Sequence, residues 1–337
     1  MTRLTPMSPQ EAVQEYLKDR TDLSQSSHNN HQYRTGQFLD WCEEENITNM
    51  NTITGNNLHE YKQWRATGIK NLTLKNHLIT IRQLIEFCED IDVVATDVSQ
   101  SMRMPSLDYN EDVRDTLLSP EEAEAIDDYF TKFEYGTVKH VIFQLFWHTA
   151  MRSGSLYALD VDDFKRDADN EPYLDIIHRA SSGSGLKNKS RGERQIQLSE
   201  KAAEVVEAWI GVHHPTVEDD TGRLPLIGTT NGRAHRTTIQ KHIYALTRPC
   251  YYTQECPHDR DIDDCEATTA QAASKCPSSV SPHALRKGSI TYHRNNGWPV
   301  QNLSYRADVS PRILEKHYDK GTKSDKRKRN KEFLENL

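Results

Sequence analysis

The chain has 337 residues, about twice the usual ~150-residue domain allowance, which excludes a single small module and makes two domains the default. Hydrophobic residues make up 35% and charged residues 27%, and the longest solidly apolar run, residues 141–147 with Gln144 inside it, is far below the ~18 residues of a membrane span, so no membrane partner is expected. A net charge of -8 counts against a generic nucleic-acid binder, so any phosphate chemistry must use a local basic patch on an acidic body.

The opening stretch MTRLTPMSPQEAVQEYL has no apolar signal core and passes straight into a helix start, so a cytoplasmic protein is expected. Ser-Pro dipeptides at Ser8, Ser119, Ser281 and Ser310 each precede a helix-like segment. Serine caps the free amides, and proline takes the first helical position, where a missing N–H costs nothing. Glu11 and Glu122 follow three residues after two of these serines and complete capping boxes. Helices are predicted over residues 9–18, 29–45 and 58–66, followed by an apolar stripe of Leu74, Leu78, Ile81, Ile85 and Cys88 at spacings of four and three. Pieces this short need each other's apolar faces, so residues 1–93 read as a four-helix domain. Periodicity disappears over 94–118, which reads as a linker.

A second domain, 119–337, opens with helices over 120–133 and 137–151. Tyr173, Leu174, Ile176 and Ile177, then a Gly/Ser/Lys stretch, then Ile196 and Leu198 read as two short strands around a long hairpin loop. Helices return over 199–210, 237–246, 282–295 and 311–318, and a basic run follows from Lys320 to Lys331.

Four segments carry residues suited to phosphate chemistry. Arg152 follows an apolar helix and lies among small residues, which leave a phosphate room to meet its guanidinium fork. Lys187 and Lys189 lie in the hairpin loop, whose tip can place an ammonium beside a leaving oxygen; lysine can donate a proton there and arginine effectively cannot. His283 and Arg286 are three apart at a helix N-terminus, where free amides add to an anion site. Tyr318 lies on a C-terminal amphipathic segment beside His317; a phenol with pKa near 10 becomes a nucleophile where cations and a base ease its ionisation.

Taken in this order, TAMRSGSLYALDVDDF around Arg152, LKNKSRGERQIQL in the hairpin, HALRKGSIT at His283 and Arg286, and ILEKHYD at Tyr318 resemble the tyrosine recombinase (phage integrase) family, most nearly its archaeal branch. The resemblance spans both domains. It implies a mainly α fold with a small β-hairpin or sheet (α+β): a helical, SAM-like core-binding domain and a tyrosine-recombinase catalytic domain. By that resemblance Arg152 and Arg286 hold the non-bridging oxygens of a scissile DNA phosphate, and Tyr318 attacks it to form a 3'-phosphotyrosyl link. His283 supports proton movement or phosphate binding. Lys189, or Lys187 if the hairpin length differs, protonates the departing 5'-oxygen. The implied partners are double-stranded DNA and further copies of the chain in a synaptic tetramer, with no cofactor for catalysis.

Two positions depart from the family pattern. Asp308, or a neighbour, stands where a second histidine or a tryptophan is usual, so Asp308 and His317 are alternates for that role. Ser155 replaces the glutamate that follows the first arginine by three. These departures motivate the alternative of a catalytically weakened or inactive member of the fold that binds DNA or controls excision. A zinc-dependent nuclease is disfavoured because cysteine-rich sites are generally closed.

Four of the six cysteines, Cys250, Cys256, Cys265 and Cys276, fall with His258 in one Cys-rich insertion over 249–279, just ahead of His283. Thiolates with imidazole suit structural zinc, so any four of these five are candidate ligands of a closed, non-catalytic site. The intervening lengths of five, eight and ten residues match no common finger.

Overall fold

The computed structural model describes residues 4–107, 116–318 and 321–328, and the chain divides into two compact units, Met1–Arg114 and Asp115–Leu337. The first unit is built from α1 (Pro9–Asp19), α2 (Gln25–Glu44), α3 (Gly55–Ala66) and α4 (Asn71–Asp90). Ser8 and Glu11 close the first turn of α1 reciprocally, the Ser8 Oγ accepting from the Glu11 amide at 3.3 Å and the Glu11 carboxylate from the Ser8 amide at 2.9 Å. Leu74, Leu78, Ile81, Ile85 and Cys88 of α4 are all buried, and pack with Phe38, Trp41 and Tyr61 in one core. That core extends past residue 93. Val94 and Met102, inside the span whose composition reads as a linker, are buried in it. The segment is also fastened by polar bonds, from the Ser99 amide to Glu89 at 2.6 Å and from Arg82 Nη2 to the Met102 carbonyl at 2.6 Å. Two apolar anchors in a polar stretch have no periodicity to reveal them.

The second unit begins with α5 (Pro120–Phe133), closed by the Ser119–Glu122 capping box, and α6 (Val138–Thr149), whose residues 140–146 are all buried. A helix apolar on nearly every side is a central one. Then come α7 (Ser153–Ala158), β1 (Phe164–Arg166), β2 (Pro172–Ile176) and β3 (Arg194–Gln197). The three strands form an antiparallel sheet in the order β1-β2-β3, with Leu174 opposite Ile196 and Ile176 opposite Arg194. The two strands around the long hairpin are thus joined by a third, too short for alternation to announce. The chain continues through α8 (Glu200–Ala208), a two-stranded ribbon of β4 (Gly228–Thr229) and β5 (Gly232–Arg233), α9 (Arg236–Leu246), α10 (Pro249–Thr253) and α11 (Pro282–Asn295). It ends in α12 (Val300–Ala307), α13 (Pro311–Ile313), a π-helical turn Leu314–Tyr318, and α14 (Lys323–Lys328). The expected mainly α, α+β architecture is therefore present.

A large core joins α5, α6, the sheet, α8, α9 and the start of α11. A smaller one, of Ala150, Ile290, Leu303, Ala307, Val309 and Leu314, joins the end of α6, α11, α12 and the Leu314–Tyr318 turn. Among the described residues no helix is long and apolar enough to cross a membrane.

Candidate active site

The smaller core lies under the site. Ala150 takes a left-handed conformation (φ 53°) that ends α6, and the chain turns so that Arg152 becomes the N-cap residue of α7. Arg152 then lines a cavity of about 600 Å³ with Lys187, Asn188, Arg191, Arg194 and Asp308. Four cations against the carboxylates of Asp308 and Glu193 leave the lining net positive on a chain of net negative charge. One carboxylate oxygen of Glu193 accepts from the His178 amide at 2.9 Å.

The carboxylate of Asp308 is ion-paired with Arg152 Nη1 and accepts from Asn188 Nδ2 at 2.8 Å. Ser155, three residues after Arg152, is buried in α7. The acidic partner of Arg152 therefore comes from the end of α12, 156 positions along the chain.

Arg194 is not marked by the sequence motifs. Its Nε donates to the Arg306 carbonyl at 3.0 Å and its Nη1 to the Gly192 carbonyl at 2.7 Å, joining the hairpin end to α12. Burial lowers its pKa to about 10; Asp308 pulls the other way, and Arg152 adds to the lowering. The available signal is parity: in the strand sequence Arg-Gln-Ile-Gln, Arg194 is two residues before the buried Ile196 and faces inward with it. Arg306 is the second such residue. It donates to the His148 carbonyl from Nε at 3.2 Å and Nη2 at 2.9 Å and to the Gln197 carbonyl from Nη1 at 2.8 Å, and its guanidinium is 5.1 Å from the centre of the Trp298 ring. The end of α6, strand β3 and α12 are thereby tied together beside Arg152.

Helix α11 starts at Ser281, whose Oγ accepts from the Ala284 amide at 3.3 Å. His283 is exposed in its first turn, and Arg286 is buried to 2% exposure. The Ser289 hydroxyl donates to the Trp147 carbonyl at 2.6 Å, and Ile290 packs with Ala150 and Leu314. The helix carrying Arg286 thus bears on both the α6 end that leads to Arg152 and the turn that ends at Tyr318.

The cavity gathers Arg152, Lys187 and Asp308; among the described residues lining it, Lys189, His283 and Arg286 do not appear. Lys189 is exposed in a left-handed conformation (φ 53°) at the start of the turn Lys189–Gly192. The backbones of His317 and Tyr318 lie in the π-helical turn, and their side chains are outside the described part of the structure. Lys320, Arg329 and Lys331 of the basic run lie outside it altogether.

Zinc, expected at the cysteine insertion, has no ligand set there. Cys250, Cys256, Cys265 and Cys276 are partly exposed free thiols, close enough that the other three raise the Cys250 pKa, behind burial as the main cause and against the pull of Arg248. His258 Nε2 is engaged with the Ser278 hydroxyl at 2.9 Å. Among the described residues, no three His, Cys, Asp or Glu side chains are arranged to hold a metal ion. The insertion is anchored by other bonds. Arg248 Nη1 donates to the Ala267 carbonyl, the Tyr251 hydroxyl donates to Glu134 at 2.6 Å and accepts from Lys139 at 2.6 Å, and the Val280 amide donates to the Thr247 hydroxyl at 3.0 Å.

Residues 11–90 match the family model described as phage integrase, N-terminal SAM-like domain. The N-terminal domain of a phage integrase/site-specific recombinase from Haloarcula marismortui is 34% identical over 30% of this chain and 99% of that one, with a TM-score of 0.29. The Tn1549 transposon integrase in complex with a circular intermediate DNA is 14% identical over 98% of this chain and 99% of that one, with a TM-score of 0.64. A lambda integrase dimer bound to a COC' core site is 13% identical over 96% and 78%, with a TM-score of 0.59. The last two share the fold over both units. No curated protein matches the chain.

Proposed function

The chain belongs to the tyrosine recombinase (phage integrase) family, and from that premise we propose that it is a site-specific DNA recombinase that cuts and rejoins duplex DNA through a 3'-phosphotyrosyl intermediate. The observation that carries this reading is the cavity in which Arg152 and Lys187 meet, on the same small core as α11 and the turn ending at Tyr318. Arg152 and Arg286 take the non-bridging oxygens of the scissile phosphate and balance the charge that gathers there in the transition state. The phenol oxygen of Tyr318 bonds to phosphorus, and the bond from phosphorus to the 5'-oxygen breaks. His283 assists phosphate binding or the movement of the phenol proton. A lysine ammonium gives the departing oxygen its proton, and the cavity favours Lys187 for this over Lys189. Religation is the reverse, with a new 5'-hydroxyl as nucleophile, so the bond energy is kept and no cofactor is consumed.

The same reading gives the chain double-stranded DNA as its substrate and a homo-oligomeric working state. A lambda integrase tetramer bound to a Holliday junction shares the fold, at 12% identity and a TM-score of 0.61. The test begins with duplexes selected from a random pool by binding to the wild-type chain, then nicked so that cleavage is trapped. A denaturant-resistant protein–DNA adduct is expected from the wild type and none from Tyr318→Phe. An adduct that survives Tyr318→Phe removes the proposed nucleophile, and binding with no adduct from the wild type leaves a DNA-binding protein of this fold.

A further inference from the structure

Strand β3 is held on α12 by bonds from Arg306 Nη1 to the Gln197 carbonyl at 2.8 Å and from the Gln195 amide to the Tyr305 hydroxyl at 3.3 Å, and two further ties nearer Lys187 differ in what an incoming phosphate does to them. The first is the hydrogen bond from Asn188 Nδ2 to the Asp308 carboxylate, which also pairs with Arg152. A phosphate that draws Arg152 to itself competes directly with that carboxylate. The second tie is Arg194, 6% exposed, whose guanidinium bridges the Gly192 carbonyl at the hairpin end and the Arg306 carbonyl on α12. Neither acceptor is a carboxylate, so a phosphate that reaches Arg152 takes no ionic partner away from this tie. Two donors of one rigid planar fork, each held by a different segment, fix the angle between those segments as a single flexible ammonium does not. Placing a cation inside a domain is costly without an ionic partner. Arg194 is nevertheless buried on the inner face of β3, with its charge beside the cavity that Arg152 and Lys187 line.

We propose that Arg194 is a positioning residue for strand cleavage, holding the β2–β3 hairpin on α12 so that Lys187 Nζ faces the departing 5'-oxygen when the phosphate has loosened the Asp308 tie. The proposal rests on the recombinase reading. In the step concerned, the Tyr318 phenol gives up its proton by way of His283, its oxygen bonds to phosphorus, the phosphorus to 5'-oxygen bond breaks, and a proton passes from Lys187 to that oxygen, leaving a neutral amine.

The experiment isolates the proton. Each protein is given two nicked duplexes of the sequence selected by the wild type, one with ordinary oxygen and one with sulfur at the bridging 5' position. A thiolate leaves without a proton donor, so a defect confined to proton delivery disappears on sulfur. Arg194→Gln is expected to form adduct on oxygen about 100-fold more slowly than the wild type and on sulfur within a few-fold of it. Arg194→Lys, which keeps the charge and one donor, is expected to fall between. The sulfur-to-oxygen ratio is taken within one preparation, so a partly folded variant still reports it. Lys187→Ala is expected to show the same rescue, and adding Arg194→Gln to it should leave the ratio unchanged. If both Arg194 variants keep the wild-type ratio, with oxygen and sulfur slowed alike, Arg194 is only a packing residue and the proposal is overturned. If the wild type forms no adduct on either duplex, it is the recombinase reading that falls, and the proposal with it.

Discussion

Asp308 adopts left-handed backbone angles (φ 52°, ψ 58°), which cost most side chains about 1–2 kcal/mol and are best tolerated, after glycine, by aspartate and asparagine. That geometry ends α12 and accompanies a carboxylate paired with Arg152, in the cavity where the proposed chemistry needs a phosphate. The carboxylate is thus an internal anion that holds Arg152 while no phosphate is bound and opposes one that arrives. Asp308→Asn keeps the backbone preference and the shape and removes the charge. Like charges about 4 Å apart repel by about 1 kcal/mol even at the dielectric of water, so DNA affinity should rise at least about fivefold. Adduct formation should speed up with it, while the thermal midpoint drops by a few degrees as the ion pair is lost. Titration of labelled duplex and single-turnover adduct kinetics check this. A variant that binds normally and makes no adduct would instead give the carboxylate a part in the chemistry.

Helix α11 meets the rest of its unit at unusually close range. A Cβ built on Gly288 would be 2.2 Å from the Leu118 carbonyl oxygen and 3.1 Å from its carbon. Backbone cannot yield as a side-chain tip can, so Gly288→Ala must push α11 off the 118 segment. Overpacking of this kind costs about 1–3 kcal/mol, which in a unit of this size predicts a thermal midpoint about 2–12 °C lower and, because α11 carries Arg286, a loss of adduct that exceeds the loss of folded protein. Calorimetry and the adduct assay on the same sample test both parts. Elements declare themselves in sequence to the extent that their determinants are local. The serine–glutamate boxes at Ser8 and Ser119 and the stripe from Leu74 to Cys88 are legible because each is set by neighbours three or four positions away. The three residues of β1 and the eight of α12 are too short for a period to show, and the serine at 310 makes no side-chain cap bond. Arg152, Lys187 and Asp308 are legible as separate candidates from the family pattern. Their convergence is not, since the pair of Arg152 with Asp308 depends on how α6 and α12 close over one small core. Arg194 and Arg306 read as surface cations by type, and only tertiary packing buries them.

At the scale of the whole molecule, two units with separate cores share one acid-sensitive feature, imidazoles folded in their neutral form. In the first unit, burial pushes His77 down to about 4, helped by Arg65 and Arg34, and also lowers His31. In the second, burial pushes His140 down to about 4, where it stacks on Phe130 and its Nδ1 accepts from the Gly136 amide at 3.2 Å. Burial, with Arg306 and His293 behind it, takes His148 to about 3; its Nε2 accepts from the Ser199 amide at 3.1 Å. His242 and His293 are lowered as well, again chiefly by burial. The unfolded chain protonates these rings near pH 6.5, whereas the folded chain takes up those protons only near or below pH 4 where the value is resolved. Between those limits the unfolded state holds more protons than the native state, so stability must fall as pH falls. From pH 6.5 to 5, above the ordinary carboxylate range, both units should therefore unfold at progressively lower temperature. The larger unit, recognised in calorimetry by its larger enthalpy, should lose about twice the stability, because it holds four lowered imidazoles against two among the described residues, but its larger unfolding entropy brings the two midpoint shifts close to each other. Midpoints that stay level or rise over that interval would mean that the rings are charged in the native state, and that the polar ends of α6 and α11 are arranged around imidazolium rather than imidazole.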